Sequence, residues 1–294
     1  MCIIIAKYFD RIGWAGAKNR DRKYIPTLDF LIEDVGDVER CMMHDQITGY
    51  KEGINNYGLS ILNTSLDVLE DEPDVESGKA KNSPDGQAIA EALAMKDPLD
   101  AVKHLMKKKL VGCTMVFNKD DMYLIEAADQ DGTKPFEFFV KKISKNNTVA
   151  RTNHGIYLPW ASFQRVEGDK QQTLNRISSE SRLLQAQKVV ENAKSPQDLV
   201  DGLCQVNLDN PQLNIMRFST GNNEFRTTSQ QLCVPKEKTL YCRPVSSNLQ
   251  FNFWKLNQPN RDTWVEIISN RELWKHSKKN LPFDDVNLKD VNEG

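Results

Sequence analysis

A cysteine stands directly behind the first methionine, and that position gives Cys2 a chemistry that the other five cysteines lack. A small second side chain favours removal of Met1, after which the chain starts with a thiol and a free α-amine on one residue. The amine has an ordinary pKa of about 7.7 to 8.0, so it acts as a general base at neutral pH without a histidine. Downstream, Lys18, Asn19, Arg20 and Asp21 concentrate charge. If the strand that begins at Cys2 turns near residues 10–13 and runs back, Asp21 returns to the amino terminus. A carboxylate there orients the α-amine, and the nearby cations lower the thiol pKa.

The elements that must position these groups are rich in β signals. Residues 2–8, 13–18, 28–32 and 57–63 read as strands, punctuated by Gly, Asn and Asp. An acidic run without a basic residue, 67–76, reads as a solvated loop. Ser83-Pro84 opens a helix to about 95, and Asp97-Pro98 opens another that ends in three lysines at 107–109. The runs 113–117 and 122–127 flank a polar turn at 118–121, and 136–143 and 148–153 continue the sheet. Over 169–193, Leu174, Ile177, Leu184, Val189 and Val190 are spaced for one face of a long helix. Ser195-Pro196 starts a shorter helix, and 225–234, 239–245 and 249–256 form a last β block. Strands, helices, strands, helices, strands in that order suit layered α+β architecture better than alternating winding.

Composition narrows the function. The 294 residues are 39% hydrophobic and 27% charged with a formal net charge of -2, which disfavours disorder and removes the electrostatic footprint of a nucleic-acid binder. No apolar run has the length of a membrane span, and the start is too short for a signal segment. The expectation is a soluble, cytoplasmic protein acting on a small molecule, with no nucleic acid or membrane as partner and compatible with a homo-oligomer. Cys41, Cys113, Cys204, Cys233 and Cys242 form no C-x-x-C pair and read as ordinary reduced thiols. His44, His104, His154 and His276 have no metal-ligand spacing, so neither a metal nor another cofactor is expected.

Taken together, the motifs resemble the N-terminal nucleophile hydrolases, specifically the choloylglycine hydrolase and penicillin V acylase group with the related penicillin-precursor acyltransferases. That family's Met-Cys start is followed by a strand and an Arg-Asn-x-Asp motif, matched here by Lys18, Asn19, Arg20 and Asp21. Its Asn-x-x-Gly-Leu segment running into a strand that ends Leu-Asn is similar to residues 55–63. Thr152-Asn153 matches a Thr-Asn pair, followed by His154 as in some acyltransferase-like members. Ser179-Glu180-Ser181-Arg182 matches a Ser-x-Ser-Arg element that opens a helix, and Leu124-Ile125-Glu126 suits the central sheet. The landmarks run from Cys2 to about residue 256. The resemblance implies a four-layer αββα sandwich of two mainly antiparallel sheets, in one domain over 1–277 with a polar extension over 278–294.

The resemblance also implies roles. Cys2 attacks an amide carbonyl of an N-acyl compound and forms a thioester, while its amine shuttles the proton. Asn63 and Asn153 offer side-chain N–H groups to the oxyanion, Asp21 holds the α-amine, and Arg182 fixes the charge network. Lys18, Arg20, His154, Trp160 and Arg226 are candidates for binding substrate. One departure stands out: the family's arginine is Lys18 here, a point charge in place of a bidentate fork. Strand alternation puts 18 and 20 on one face, so either Arg20 takes over the contact or Lys18 keeps it. Alternatives are acyl transfer through the same thioester, an inactive binding protein on the same scaffold, and the proteins named after an Asn-Arg-Asp-Glu motif, whose fourth residue is Arg22 here. A glutamine amidotransferase is disfavoured, since Ile3 stands where glycine should follow the cysteine.

Overall fold

The fold is given by a computed structural model that describes residues 1–24, 26–66, 84–128, 135–163, 168–206, 210–217, 225–244, 250–251 and 265–268. Its chain begins with β1 (Cys2–Phe9), which turns and returns as β2 (Gly13–Arg22), with Cys2 opposite Arg20 and Ile5 opposite Ala17. The turn needs its glycine. Gly13 has φ +86°, and a Cβ there would lie 2.2 Å from the Lys119 carbonyl oxygen. Side chains alternate across a strand, so Ile4, Ala6 and Trp14 face one way and Ile3, Ile5, Ala15 and Ala17 the other, all buried.

Beside this hairpin lie β10 (Val149–Arg151), β11 (Arg226–Val234), β12 (Thr239–Pro244) and β14 (Val265–Ile268), giving the order β10-β1-β2-β11-β12-β14. A second sheet comprises β3 (Thr27–Val35), β4 (Val38–Asp45), β5 (Tyr50–Asn55), β6 (Ser60–Thr64), β7 (Gly112–Phe117), β8 (Met122–Ala128), β9 (Glu137–Lys142) and β13 (Gln250–Phe251). Its order is β13-β3-β4-β5-β6-β7-β8-β9, antiparallel except for β13 on β3. The sheets share one core, in which Ile4 and Trp14 of the first meet Phe30, Met43, Leu62 and Phe117 of the second. On the outer face of the first sheet, α3 (Lys170–Asn192) and α4 (Pro196–Gly202) cover Ile3, Ile5 and Ala17. On the outer face of the second, α1 (Pro84–Ala92) and α2 (Pro98–Lys107) cover Met42, Ile61 and Val116. The layers therefore run α-β-β-α, the order expected.

Capping explains three helix starts. Asp97 accepts from the N–H groups of Leu99 and Asp100, Asp169 from Gln172, and Ser195 and Asp198 form a reciprocal capping box. No helix among the described residues is long and apolar enough to cross a membrane.

Four expectations need correction. Strand β6 starts at Ser60 rather than 57, because Asn55 Oδ1 accepts from the N–H groups of Tyr57 and Leu59, each at 3.0 Å, and makes 55–58 a turn. Helix α1 ends at Ala92 rather than near 95, where Asn55 Nδ2 donates to the carbonyls of Leu93 and Met95. β4, β5 and β14 were not anticipated. The fourth correction concerns α3, whose Leu174, Ile177 and Leu184 are exposed while Ser178, Ser179, Arg182, Leu183, Ala186, Val189 and Val190 are buried. The inward face is polar in its first half because polar groups await it there. The acidic run 67–76, His276 and the extension 278–294 lie outside the described residues, as does all of the strand expected over 249–256 except Gln250–Phe251.

Candidate active site

Strand alternation sorts the groups around Cys2 into two sets. Lys18, Arg20 and Arg22 share the face of Trp14, toward the second sheet, while Asn19 and Asp21 share the face of Ala17, toward α3 and α4. Cys2, with Ile4, faces the second sheet. Its Sγ lies 3.7 Å from Arg22 Nη1, and its main-chain nitrogen is held from the other side.

That nitrogen donates to Asn153 Oδ1 at 3.0 Å. The same oxygen accepts from Arg182 Nη2 at 3.1 Å, and Asn153 Nδ2 donates to Thr64 Oγ1 at 2.8 Å and to the Ser65 carbonyl at 2.7 Å. Donors on one side and a carbonyl on the other leave the amide one orientation. Asn153 therefore presents its oxygen to Cys2, and both of its N–H bonds are engaged elsewhere. Asn63 is likewise committed: Nδ2 donates to Thr114 Oγ1 at 2.7 Å and to the Val111 carbonyl at 3.4 Å, and Oδ1 accepts from Tyr50 at 2.7 Å. In this state neither asparagine offers the oxyanion donor expected of it.

Asp21 differs too. Its main chain pairs with Met1, donating N–H to the Met1 carbonyl at 3.0 Å and accepting from the Met1 amine at 3.3 Å. Its carboxylate, on the opposite face, accepts from Thr227 at 2.9 Å and from Arg182 at 3.4 Å, and lies 3.8 Å from Arg217 Nε. The carboxylate thus anchors Arg182, and Asn153, not Asp21, holds the Cys2 nitrogen.

On the other face, Glu52 of β5 receives both candidate cations, Lys18 at 2.5 Å and Arg20 at 3.0 Å, and Arg20 also reaches Asp45 of β4 at 3.1 Å. All four side chains are buried. Lys18 is further tied to the Asn63 carbonyl at 2.6 Å. Lys18 and Arg20 are thus committed inside the protein, away from the substrate contact expected of them.

Electrostatics set Cys2 apart. Burial pushes its thiol up, but the neighbouring cations, Lys18 first and Arg22 among them, outweigh that and bring it down to about 7. Burial pushes the thiols of Cys41, Cys113, Cys233 and Cys242 up. The α-amine of Met1 is pulled down to about 4, chiefly by burial, with Arg22 and Arg217 acting the same way against Cys2 and Asp21, so that amine is neutral at pH 7.

No family model and no curated protein matches the sequence. Among solved structures, the chain is similar to penicillin V acylase from Agrobacterium tumefaciens, at 13% identity and a TM-score of 0.48 over 83% of each chain. It is also similar to two variants of conjugated bile acid hydrolase from Clostridium perfringens. One has 13% identity and a TM-score of 0.49 over 94% of each chain. The other has 11% identity and a TM-score of 0.45 over 93% of this chain and 94% of that one.

The remaining candidates are placed as follows. His154 Nδ1 is 2.8 Å from Ser179 Oγ, and Ser179 Oγ accepts the Asn153 N–H at 3.0 Å, so His154 buttresses the Asn153 loop. Burial, with Arg176 and Arg182 nearby, lowers its pKa to about 4, so it is a neutral ring. Trp160 donates to Glu137 at the start of β9 at 3.2 Å and packs on the shared core. Arg226 opens β11 half-buried, in register with Arg22.

Sequence reasoning missed Arg22, Glu52 and Asp45. Arg22 had a readable signal, since it continues the alternation from 18 and 20. Glu126 was read only as a sheet residue, but its buried Oε1 accepts from the N–H groups of Tyr157 at 2.8 Å and Leu158 at 2.6 Å, closing the loop behind Asn153 and His154. Glu126→Ala leaves both amides without this acceptor, at about 1 to 3 kcal/mol each. Hydrogen exchange at Tyr157 and Leu158 should accelerate in that variant ahead of exchange in β1.

Proposed function

We propose that this protein is a cysteine amidohydrolase that cleaves a linear carbon–nitrogen amide of an N-acyl compound, with Cys2 as nucleophile once Met1 is removed. One observation carries the reading: the Cys2 nitrogen is held by Asn153 Oδ1 on one side of β1, while its thiol faces Arg22 on the other, among cations that lower the thiol pKa. Resemblance to the N-terminal nucleophile hydrolases in sequence landmarks supports the same chemistry. Sγ attacks the acyl carbonyl, the amine takes the thiol proton and passes it to the departing amine, and the resulting thioester is opened by water that the same amine deprotonates. Removal of Met1 also frees the Asp21 N–H from the Met1 carbonyl, providing a main-chain donor beside the amine for the acyl oxygen. Asn153, anchored by Thr64, Ser65, Arg182 and Ser179, keeps the base in place throughout.

The test uses both forms of the protein, distinguished by intact mass. Each is offered penicillin V, a glycine-conjugated bile acid and an N-acyl-homoserine lactone, with acid quenching and mass analysis of the N-terminal peptide. The Met1-free form should turn over at least one of these and carry its acyl group on Cys2. The Met1-retaining form and Cys2→Ala should do neither. Turnover by Cys2→Ala, or by protein that keeps Met1, overturns the reading.

A further inference from the structure

Four arginines and a lysine surround Cys2, and all but one are locked inside the protein. Lys18 lies against Glu52, Arg20 bridges Glu52 and Asp45, Arg182 joins Asp21 to Asn153, and Arg217 reaches Asp21 and donates to Ser178. Each of these side chains is at most 1% exposed. Arg22 is different: 16% of its side chain is exposed, and its Nη1 donates to Cys2 Sγ at 3.7 Å.

Three contacts hold that guanidinium. Nη1 also donates to the Asp21 carbonyl at 2.9 Å, and Nε donates to the Tyr24 hydroxyl at 3.1 Å. Tyr24 in turn donates to Asp45 Oδ2 at 2.6 Å, which lies 3.7 Å from Arg22 Nε. The position expected to carry an arginine holds Lys18, whose ammonium is tied to Glu52 and the Asn63 carbonyl. Lys18 therefore acts on the thiol through its charge, whereas Arg22 also donates a hydrogen bond to the sulfur.

We propose that Arg22 is the catalytic arginine of this site, donating from Nη1 to the Cys2 thiolate, and that Tyr24, braced by Asp45, is the positioning residue that aims it. This rests on Cys2 being the nucleophile. Arg22 stabilises the thiolate before attack and loses that contact as the sulfur's charge passes to the acyl oxygen. It thus sets how much of the enzyme is ionised, not how tightly substrate binds. The titratable and charged groups around the sulfur are Lys18 and Arg22 on its own face, with Glu52 behind Lys18, the Met1 amine in the unprocessed chain, and Asp21, Arg182 of α3 and Arg217 across the strands on the other face. Of these cations, Arg22 alone donates to Sγ among the hydrogen bonds described, and its carboxylate partner Asp45 stands at 3.7 Å from Nε, leaving Nη1 to the sulfur and the Asp21 carbonyl.

The test is the pH dependence of Cys2 alkylation by iodoacetamide in Met1-free protein, read on the N-terminal peptide, beside kcat and KM on a substrate that the native enzyme turns over. Arg22→Gln should raise the alkylation midpoint by about one pH unit, an amount typical for loss of a cation beside a thiolate, and lower kcat with KM little changed. Arg22→Lys should recover part of both. Tyr24→Phe, which leaves the charge in place, should move the midpoint the same way by less. Continued protection of Cys41, Cys113, Cys233 and Cys242 from the reagent verifies the fold of each variant. An unchanged midpoint in folded Arg22→Gln, or one in Arg22→Lys as high as in Arg22→Gln, overturns the role of Arg22, and an unchanged Tyr24→Phe overturns that of Tyr24. Full turnover by Cys2→Ala would instead defeat the nucleophile assignment itself.

Discussion

Asn153→Leu should lower kcat by about a hundredfold or more while the protein still folds. The side chain makes four hydrogen bonds in a buried setting, two through its oxygen and two through its nitrogen. Leucine fills the space and satisfies none of them. The freed Cys2 nitrogen is then no longer aimed, and misplacement of a reacting group by about 1 Å costs on the order of a hundredfold in rate. Stability falls as well, since a buried group left unpaired costs about 1 to 3 kcal/mol, and Arg182 Nη2 and Thr64 Oγ1 both lose a partner. Asn153→Asp separates the two effects. A carboxylate can still accept from Cys2 and Arg182, but it meets the Ser65 carbonyl with no hydrogen to give, and its charge favours the protonated amine. Its pH–rate profile should therefore shift to higher pH, whereas that of Asn153→Leu should keep its shape at lower amplitude. A profile unmoved by the aspartate would mean that the Cys2 nitrogen is not the base.

Glu52→Gln should produce the largest loss of stability. Glu52 takes Lys18 and Arg20 at once and also accepts from Gln231 at 2.9 Å, with no exposure to water. Removing one partner from a buried ion pair costs about 3 to 5 kcal/mol because the remaining charge stays buried. For a chain of this size that corresponds to a fall in Tm on the order of 10 °C. Burial pushes Glu52 up, yet Lys18 and Arg20 outweigh it and hold the carboxyl below its ordinary value; Asp45 is likewise held down by Arg20 and Arg22 against burial. Carboxylates depressed in this way stabilise the fold fully above their unfolded pKa near 4 and lose that contribution as pH falls through the lower folded value. Native protein should therefore lose Tm steeply on acidification, and Glu52→Gln more gently from its lower start. Lys18→Met in the Glu52→Gln background should regain part of the loss, measured as a double-mutant cycle of denaturant midpoints.

The sequence revealed the first hairpin because its signals are local: three consecutive isoleucines, a glycine at the turn and a strand ending in charge. From that pairing the neighbourhood of Cys2 and Asp21 followed directly. It did not reveal β4 and β5, since Glu39, Arg40, His44, Asp45, Lys51 and Glu52 make those strands look like polar surface. Two of those charges are buried and answer cations on β2 far away in sequence, and no local pattern announces such a partner. Helix α3 misled for a related reason. Periodicity finds the apolar stripe, but the first half of this helix turns serines and an arginine inward to reach Thr152, Asn153 and Asp21. The asparagines were recognised as site residues while their direction was not, because an amide's orientation is decided by neighbours that only the folded chain supplies.

Met1 itself is 6% exposed, paired through both main-chain groups to Asp21 and capped at its sulfur by Arg182. An exopeptidase must draw a terminus into its own cleft, and a terminus sealed into a sheet offers it nothing to hold. Trimming and folding are therefore rivals in time, and the contest is over when β1 closes onto β2. With Cys2 as the proposed nucleophile, a chain that folds before losing Met1 is well formed but has no free amine on that residue. Under rapid overproduction the active fraction would then reflect the supply of aminopeptidase at synthesis, and no later treatment that leaves the fold intact would raise it.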